Sequence, residues 1–263
     1  VVAEERSGMI ISHTYRYLFV EIPLTASWAI HHELVDYYGG ISILHKHASF
    51  PEFERIAEAG EANYFVFATV RHPLDVVVSQ YVKLRTDHRE AFTSPEAIRA
   101  LKVDSADIKK REFIMTEDAA FEAYFRRYHR WPFNSILQLS ADRLDFVIRY
   151  ENLQEDFSGV LQRLGIEQVR PVPVVNKTQG RQPDWQSYYT PEIVEQAKKS
   201  FGPFMEAWGY TFPPEWGDYT PNWRDRAVYR IFDRAQEVYW RYLRYHEGTA
   251  GKVARWMRAT LTR

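Results

Sequence analysis

Alternation constrains this chain most. Four short runs rich in β-branched and aromatic residues, YLFVEI (17–22), ISIL (41–44), YFVFATV (64–70) and DFVIRY (145–150), are separated by longer stretches with helical spacing. Runs of that length and composition read as buried strands. The helical stretches follow Thr25 and cover PLDVVVSQYVKLR, EDAAFEAYFRRYHR and ENLQEDFSGVLQRLG. Pro73 opens one of them as a first helical residue, and Thr190-Pro191-Glu192 signals a later start. Strands alternating with helices imply an α/β fold of three layers, a parallel central sheet with helices packed on its faces. Ligands of such sheets sit at the carboxyl ends of the strands. Chemistry is therefore expected just after Ile22, Leu44, Val70 and Tyr150.

With 263 residues, the chain is long enough for one sizeable core or two small ones. Its 34 basic and 35 acidic side chains nearly cancel, which gives no reason to expect a nucleic-acid partner held by bulk charge. Cysteine is absent, which excludes disulfides, thiolate metal sites and a cysteine nucleophile. Aromatic residues make up 16% of the chain. They suit a ring-rich core, with a sugar-stacking surface as the sharper alternative. No apolar run reaches the roughly 18 residues of a membrane span, and no secretory signal pattern is visible. A cytoplasmic protein is expected, the alternative being a Golgi-lumen protein whose anchor was trimmed ahead of Val1.

The reading places an α/β domain over residues 1–213 and a linker with a terminal helix over 214–263. PPEWGDYTPNW forms the linker, and Val228, Ile231, Phe232, Ala235, Val238 and Tyr242 then recur at amphipathic spacing. A docked helix or a homodimer contact is the simpler reading of that stripe, and weak contact with an anionic membrane is the alternative.

Three loops carry the candidate chemistry. The first, IPLTASWAI, joins a strand to a helix as nucleotide-phosphate loops do, yet has no glycine and shows Leu24 where a lysine is expected. Its amides at a helix N-terminus suit an anion, and Thr25, Ala26, Ser27 and Trp28 keep those amides along with two hydroxyl groups. In the second, Arg71 stands at the end of a strand and Ser79 follows eight residues later. An arginine there forks two N–H bonds onto a phosphate, and a serine adds a donor. In the third, HKHAS follows the second predicted strand, and an imidazole titrating near neutrality suits the removal of a proton from an alcohol.

FVFATVRHPLDVVVSQY resembles the 3′-phosphate motif of sulfotransferases that use 3′-phosphoadenosine 5′-phosphosulfate (PAPS), a strand followed by V-R-[ND]-P and a serine eight residues after the arginine. DFVIRYENLQEDF is similar to the family's D-F-I-x-R-[FY]-E-N-L-x-x-D-F, and YYTPEIVEQAKKSFGPFMEAWGYTFP to its closing helix. With the first loop these matches come in the family's order and span roughly residues 9 to 213. They look most like the carbohydrate branch, which includes heparan 2-O-sulfotransferase and bacterial relatives.

The resemblance implies a P-loop-like fold that moves a sulfuryl group from PAPS to a hydroxyl, releasing PAP, with a glycan or small molecule as acceptor and no metal. IPLTASWAI matches the 5′-phosphosulfate loop I-P-K-T-[AG]-[GS]-T-[ST], in which Leu24 replaces the lysine and Trp28 a small hydroxyl residue. Lys46 and Arg181 are the nearest substitute cations by element order. His47 matches the family base, and His45 is a second candidate. VVNKTQG resembles a late loop over the cofactor, so Lys177 and Thr178 are assigned to phosphate oxygens. Asn176-Lys177-Thr178 is also a glycosylation sequon, which a cofactor loop could not use. The competing reading is a sulfotransferase-fold protein that binds a nucleotide or glycan without turnover, since the lysine is lost. A P-loop kinase is disfavoured because G-x-x-x-x-G-K-[ST] is absent.

Overall fold

Two separate apolar clusters organise the chain, and distant segments are recruited to each. The computed structural model describes residues 8–100, 103–175, 178–243 and 248. Its strands are β1 (Met9–Ser12), β2 (Tyr17–Val20), β3 (Ile41–Ile43), β4 (Phe65–Val70) and β5 (Phe146–Arg149). Its helices are α1 (Ser27–Tyr37), α2 (Phe50–Phe53), α3 (Pro73–Thr86), α4 (Pro95–Ala100), α5 (Ser105–Thr116), α6 (Phe121–Tyr128), α7 (Leu153–Arg163), α8 (Pro191–Trp208) and α9 (Trp223–Val238). One compact unit runs up to Arg71 and resumes from Ser135 to about residue 175. The other covers His72–Asn134 and the chain from Thr178.

All five strands belong to the first unit, in the order β3-β1-β2-β4-β5. The four expected strands are present, but the expected parallel sheet is a mixed one. β2, β4 and β5 pair in parallel, whereas β1 is antiparallel to both β2 and β3. The cause is the short link from Ser12 to Tyr17, which permits a hairpin and is far too short for a crossover. Alternate strand residues line one face, Ile10, Tyr17, Phe19, Phe67 and Ile148. Ala29, Ile30 and Leu34 of α1 pack there, as do Phe157, Val160 and Leu161 of α7. Each such side chain contributes about 1.5–3 kcal/mol when fully buried.

Polar ties fix α1 against this sheet. The Arg170 guanidinium donates to the fully buried Glu33 carboxylate on α1 at 2.7 Å. Tyr17 Oη donates to the Tyr38 carbonyl at 2.8 Å, and Val169 N–H donates to Tyr38 Oη at 3.0 Å. α7 is tied to β5 in the same way, since Asp156 accepts from the Arg149 amide at 2.6 Å.

The second unit is helical. Val78, Tyr81, Tyr124, Phe125, Ile193 and Phe201, from α3, α6 and α8, form the centre of its core. α3 begins at Pro73 with Asp75 in its first turn and ends with Lys83 and Arg85 in its last, matching both ends of the helix dipole. α8 begins at Pro191, as expected, and stops at Gly209, whose φ of 66° is the left-handed conformation that glycine takes without strain.

α9 departs from expectation. Its inward side is Tyr229, with Asp225 accepting from Tyr219 Oη at 2.9 Å and Arg226 donating to Glu206 at 2.6 Å. Of the apolar stripe read from the sequence, Val228, Ile231, Val238 and Tyr242 are exposed, and only Phe232 stacks, on Trp131. Among the described residues no helix is long and apolar enough to cross a membrane.

Candidate active site

The first loop leaves β2 at Val20 and turns into α1 at Ser27. It makes this turn without glycine by placing Leu24 and Ala26 in the left-handed region, at φ 65° and 64°. That conformation costs roughly 1–2 kcal/mol per residue for an ordinary side chain. Such strain survives where the surroundings over-determine it, and functional loops are where it collects.

Three hydroxyl groups hold the loop in this shape. Thr25 Oγ1 donates to the Ile22 carbonyl at 2.7 Å and Ser27 Oγ donates to the same oxygen at 2.8 Å. Because the Thr25 proton is spent there, Thr69 Oγ1 is the donor in its contact with Thr25. The two hydroxyls assigned to a ligand by resemblance therefore brace the loop. The start of α1, where Ala26 is the N-cap residue, is capped by no side chain. A side-chain cap is typically worth about 1 kcal/mol, and its absence leaves first-turn N–H groups for an anion.

Arg71 is buried, 7% exposed, at the end of β4. Its Nη1 donates to the Leu24 carbonyl at 3.0 Å, and its guanidinium lies 4.1 Å from the centroid of the Tyr150 ring. The arginine thus joins the strained loop to the strand ends while keeping a positive charge beside it. Tyr150 and Thr69 escaped sequence reasoning. Thr69 is the next-to-last residue of β4 and Tyr150 directly follows β5, and that place at the sheet's carboxyl end is the signal that could have found them.

Trp28 lies back along its own helix, its ring 5.6 Å from that of His31 and edge-on to His32 at 4.3 Å. The i, i+3 and i+4 spacing produces this contact. Lys46, from the loop after β3, places its ammonium 5.2 Å from the centre of the Trp28 ring. His31 is buried with its Nδ1 3.5 Å from the Glu21 carboxylate.

His47 Nδ1 lies 3.2 Å from the Glu21 carbonyl oxygen. A carbonyl only accepts, so the neutral ring carries its proton on Nδ1 and leaves Nε2 with a free lone pair. Burial holds this imidazole below the ordinary histidine pKa, outweighing the Glu21 charge, which acts in the opposite sense. A neutral ring with one nitrogen anchored and the other basic is what a general base requires. His45 is placed differently. Its Nε2 lies 3.0 Å from Glu52 Oε1 and its Nδ1 3.0 Å from the Lys46 carbonyl, so acceptors occupy both nitrogens.

In the second unit, Ser79 is buried in α3 and its Oγ has no hydrogen-bond partner. Thr178 is half-buried, and Lys177 lies outside the described residues. Arg181 forms an ion pair with Asp75 and is largely buried, so its charge is already matched.

These features, a strand-to-helix anion loop, an arginine at the next strand end and a neutral histidine, are accompanied by a family match. The sulfotransferase family model covers residues 8–201. No curated protein and no solved structure matches the chain. Since the match takes in the whole sheet and most of both units, the chain belongs to the sulfotransferase family.

Proposed function

We propose that the chain is a PAPS-dependent sulfotransferase acting on a hydroxyl acceptor, with a carbohydrate as the acceptor class the resemblance favours. The observation that carries this reading is the uncapped start of α1 beside Arg71, with His47 in the same unit presenting a free Nε2. The residues suit the nucleotide. First-turn amides of α1 would take the 5′-phosphosulfate and Arg71 a phosphate, and the resemblance alone assigns Ser79 to the 3′-phosphate. Thr178 and Lys177 are assigned to phosphate oxygens by resemblance alone.

Bound there, PAPS would supply a sulfuryl group, its sulfur–oxygen bond to the 5′-phosphate breaking as the acceptor oxygen bonds to sulfur. His47 Nε2 takes the acceptor's proton, and the Glu21 carbonyl steadies the imidazolium through Nδ1–H. Lys46 is the cation best suited to offset charge on the leaving side, because its ammonium lies 5.2 Å from the centre of the ring of Trp28, a first-turn residue of α1, and Arg181 is already paired.

Leu24 favours a second reading, a protein that binds nucleotide or glycan without turnover. Nucleotide choice tests what the two share. PAP should raise the melting temperature far more than ADP, and at 100 times its dissociation constant it should add about 2.7 kcal/mol. Equal shifts with both nucleotides would remove the role given to Arg71 and Ser79.

A further inference from the structure

We propose that the outward face of α9 docks the protein on an anionic lipid surface. Trp223, Val228, Ile231, Val238 and Tyr242 are all exposed, Trp223 by 71% and Ile231 by 66%. At 3.6 residues per turn the four on α9 fall within an arc of about 140°, and Tyr242 follows in a π-helical turn, Tyr239–Leu243. The charged residues of that side are arginines. Arg224 lies inside the arc and Arg230 at its edge, both exposed, while Arg234 is ion-paired with Glu237. The acids of the helix lie outside the arc, although Glu237 borders it and is paired with Arg234 and Arg241. Asp225 is bonded to Tyr219, and Asp233 and Glu237 are half-buried. Beyond the helix, Trp131 is exposed and stacks on Phe232, extending the apolar surface onto a second segment.

A globular helix normally buries its apolar stripe and exposes acids and bases together. Here the stripe is outside, mixed only with arginine, which is the composition of helices lying in the headgroup layer of a membrane. Charge decides among the occupants. A second copy docked by a two-fold axis would bring arginine faces together, which costs free energy. Residues 244–263 carry five Lys and Arg against one Glu, so the chain beyond the helix is basic in sequence as well. An anionic bilayer complements both the arginines and the apolar side chains. This proposal is independent of the sulfotransferase chemistry.

The test is sedimentation of the whole chain with vesicles of phosphatidylcholine, alone or with about 30 mol % phosphatidylserine. Binding to the anionic vesicles is expected, with weakening as salt rises. Ile231→Asp with Val238→Asp should lower partitioning by roughly tenfold or more. Arg224→Gln and Arg230→Gln should each lower it roughly fivefold. All four positions are exposed, so wild-type melting of each variant serves as the folding control. Absence of binding to anionic vesicles, or equal binding to neutral ones, would overturn the proposal. So would a wild-type dimer that the aspartate pair makes monomeric. Binding that survives the aspartates and vanishes with the arginines would indicate a soluble polyanion, and would overturn it equally.

Discussion

Replacing Lys46 with alanine tests how this loop works without its lysine. The ammonium sits 5.2 Å from the centre of the ring of Trp28, a first-turn residue of α1. For an anion on the first-turn amides taken at roughly 7 Å from that ammonium, a full charge pair interacts by about 2.4 kcal/mol at an effective dielectric of about 20. Only part of a charge develops on the leaving oxygen, and Lys46 is exposed, so solvent screens the interaction. About 1 kcal/mol remains, close to a fivefold loss of single-turnover rate in Lys46→Ala. Leu24→Lys in that background should more than restore the rate. A lysine there keeps the backbone carbonyl that Arg71 holds, fares no worse than leucine at positive φ, and brings its ammonium to roughly 4 Å of the anion. Half a unit of charge at that distance is worth about 2 kcal/mol, or roughly 30-fold. Neither change should alter PAP affinity as much as rate, because the contact strengthens in the transition state. The assay is single-turnover conversion of PAPS to PAP. An unchanged rate in Lys46→Ala together with a large gain from Leu24→Lys alone would show that no cation serves the wild-type loop.

Ser79→Ala should act in opposite directions on the free and liganded protein. It removes a buried hydroxyl that has no partner, so the free protein should gain about 1 kcal/mol by urea denaturation while PAP binding weakens by a similar amount in calorimetry. Loss of stability without loss of affinity would make the serine structural. His129 is half-buried between Phe125 and Phe201 with its Nε2 enclosed, and that desolvation pushes its pKa from 6.5 down to about 3. Its folded pKa is lowered, so the stability it contributes is full above pH 6.5 and drains away as pH falls toward 3. At pH 4.5 that loss is about 2–3 kcal/mol, and His129→Phe should abolish this part of the acid destabilisation. An unaltered pH dependence of unfolding would show that the ring is hydrated.

The strands were legible because β-branched and aromatic runs have few other uses in a globular chain. β1 was not, since four residues in MIIS gain their meaning only from pairing with Ile41–Ile43 and Tyr17–Phe19. α5 was missed for a related reason, as Ile114 is its one buried residue and no clear stripe results. Motif spacing located the loop, Arg71 and His47. It could not show that Thr25 and Ser27 turn inward to the Ile22 carbonyl, that Arg181 is matched by Asp75, or that Lys46 overhangs Trp28. Those contacts join residues from separate segments or depend on backbone angles. For α9 the periodicity was real, but a period does not say which face docks. Polar contacts through Asp225 and Arg226 decide that.

The account stands or falls on His47 as the base. Single-turnover conversion of PAPS to PAP, followed against pH in wild type and His47→Ala with water or a glycan as acceptor, tests it most directly. Wild type should convert PAPS, with the rate level above pH 6.5 and its acid limb centred below the ordinary histidine value, because burial disfavours the protonated ring. His47→Ala should be slower by roughly 100-fold or more and should lose that limb. No conversion by wild type, or an alanine variant with the same rate and pH profile, would contradict the account.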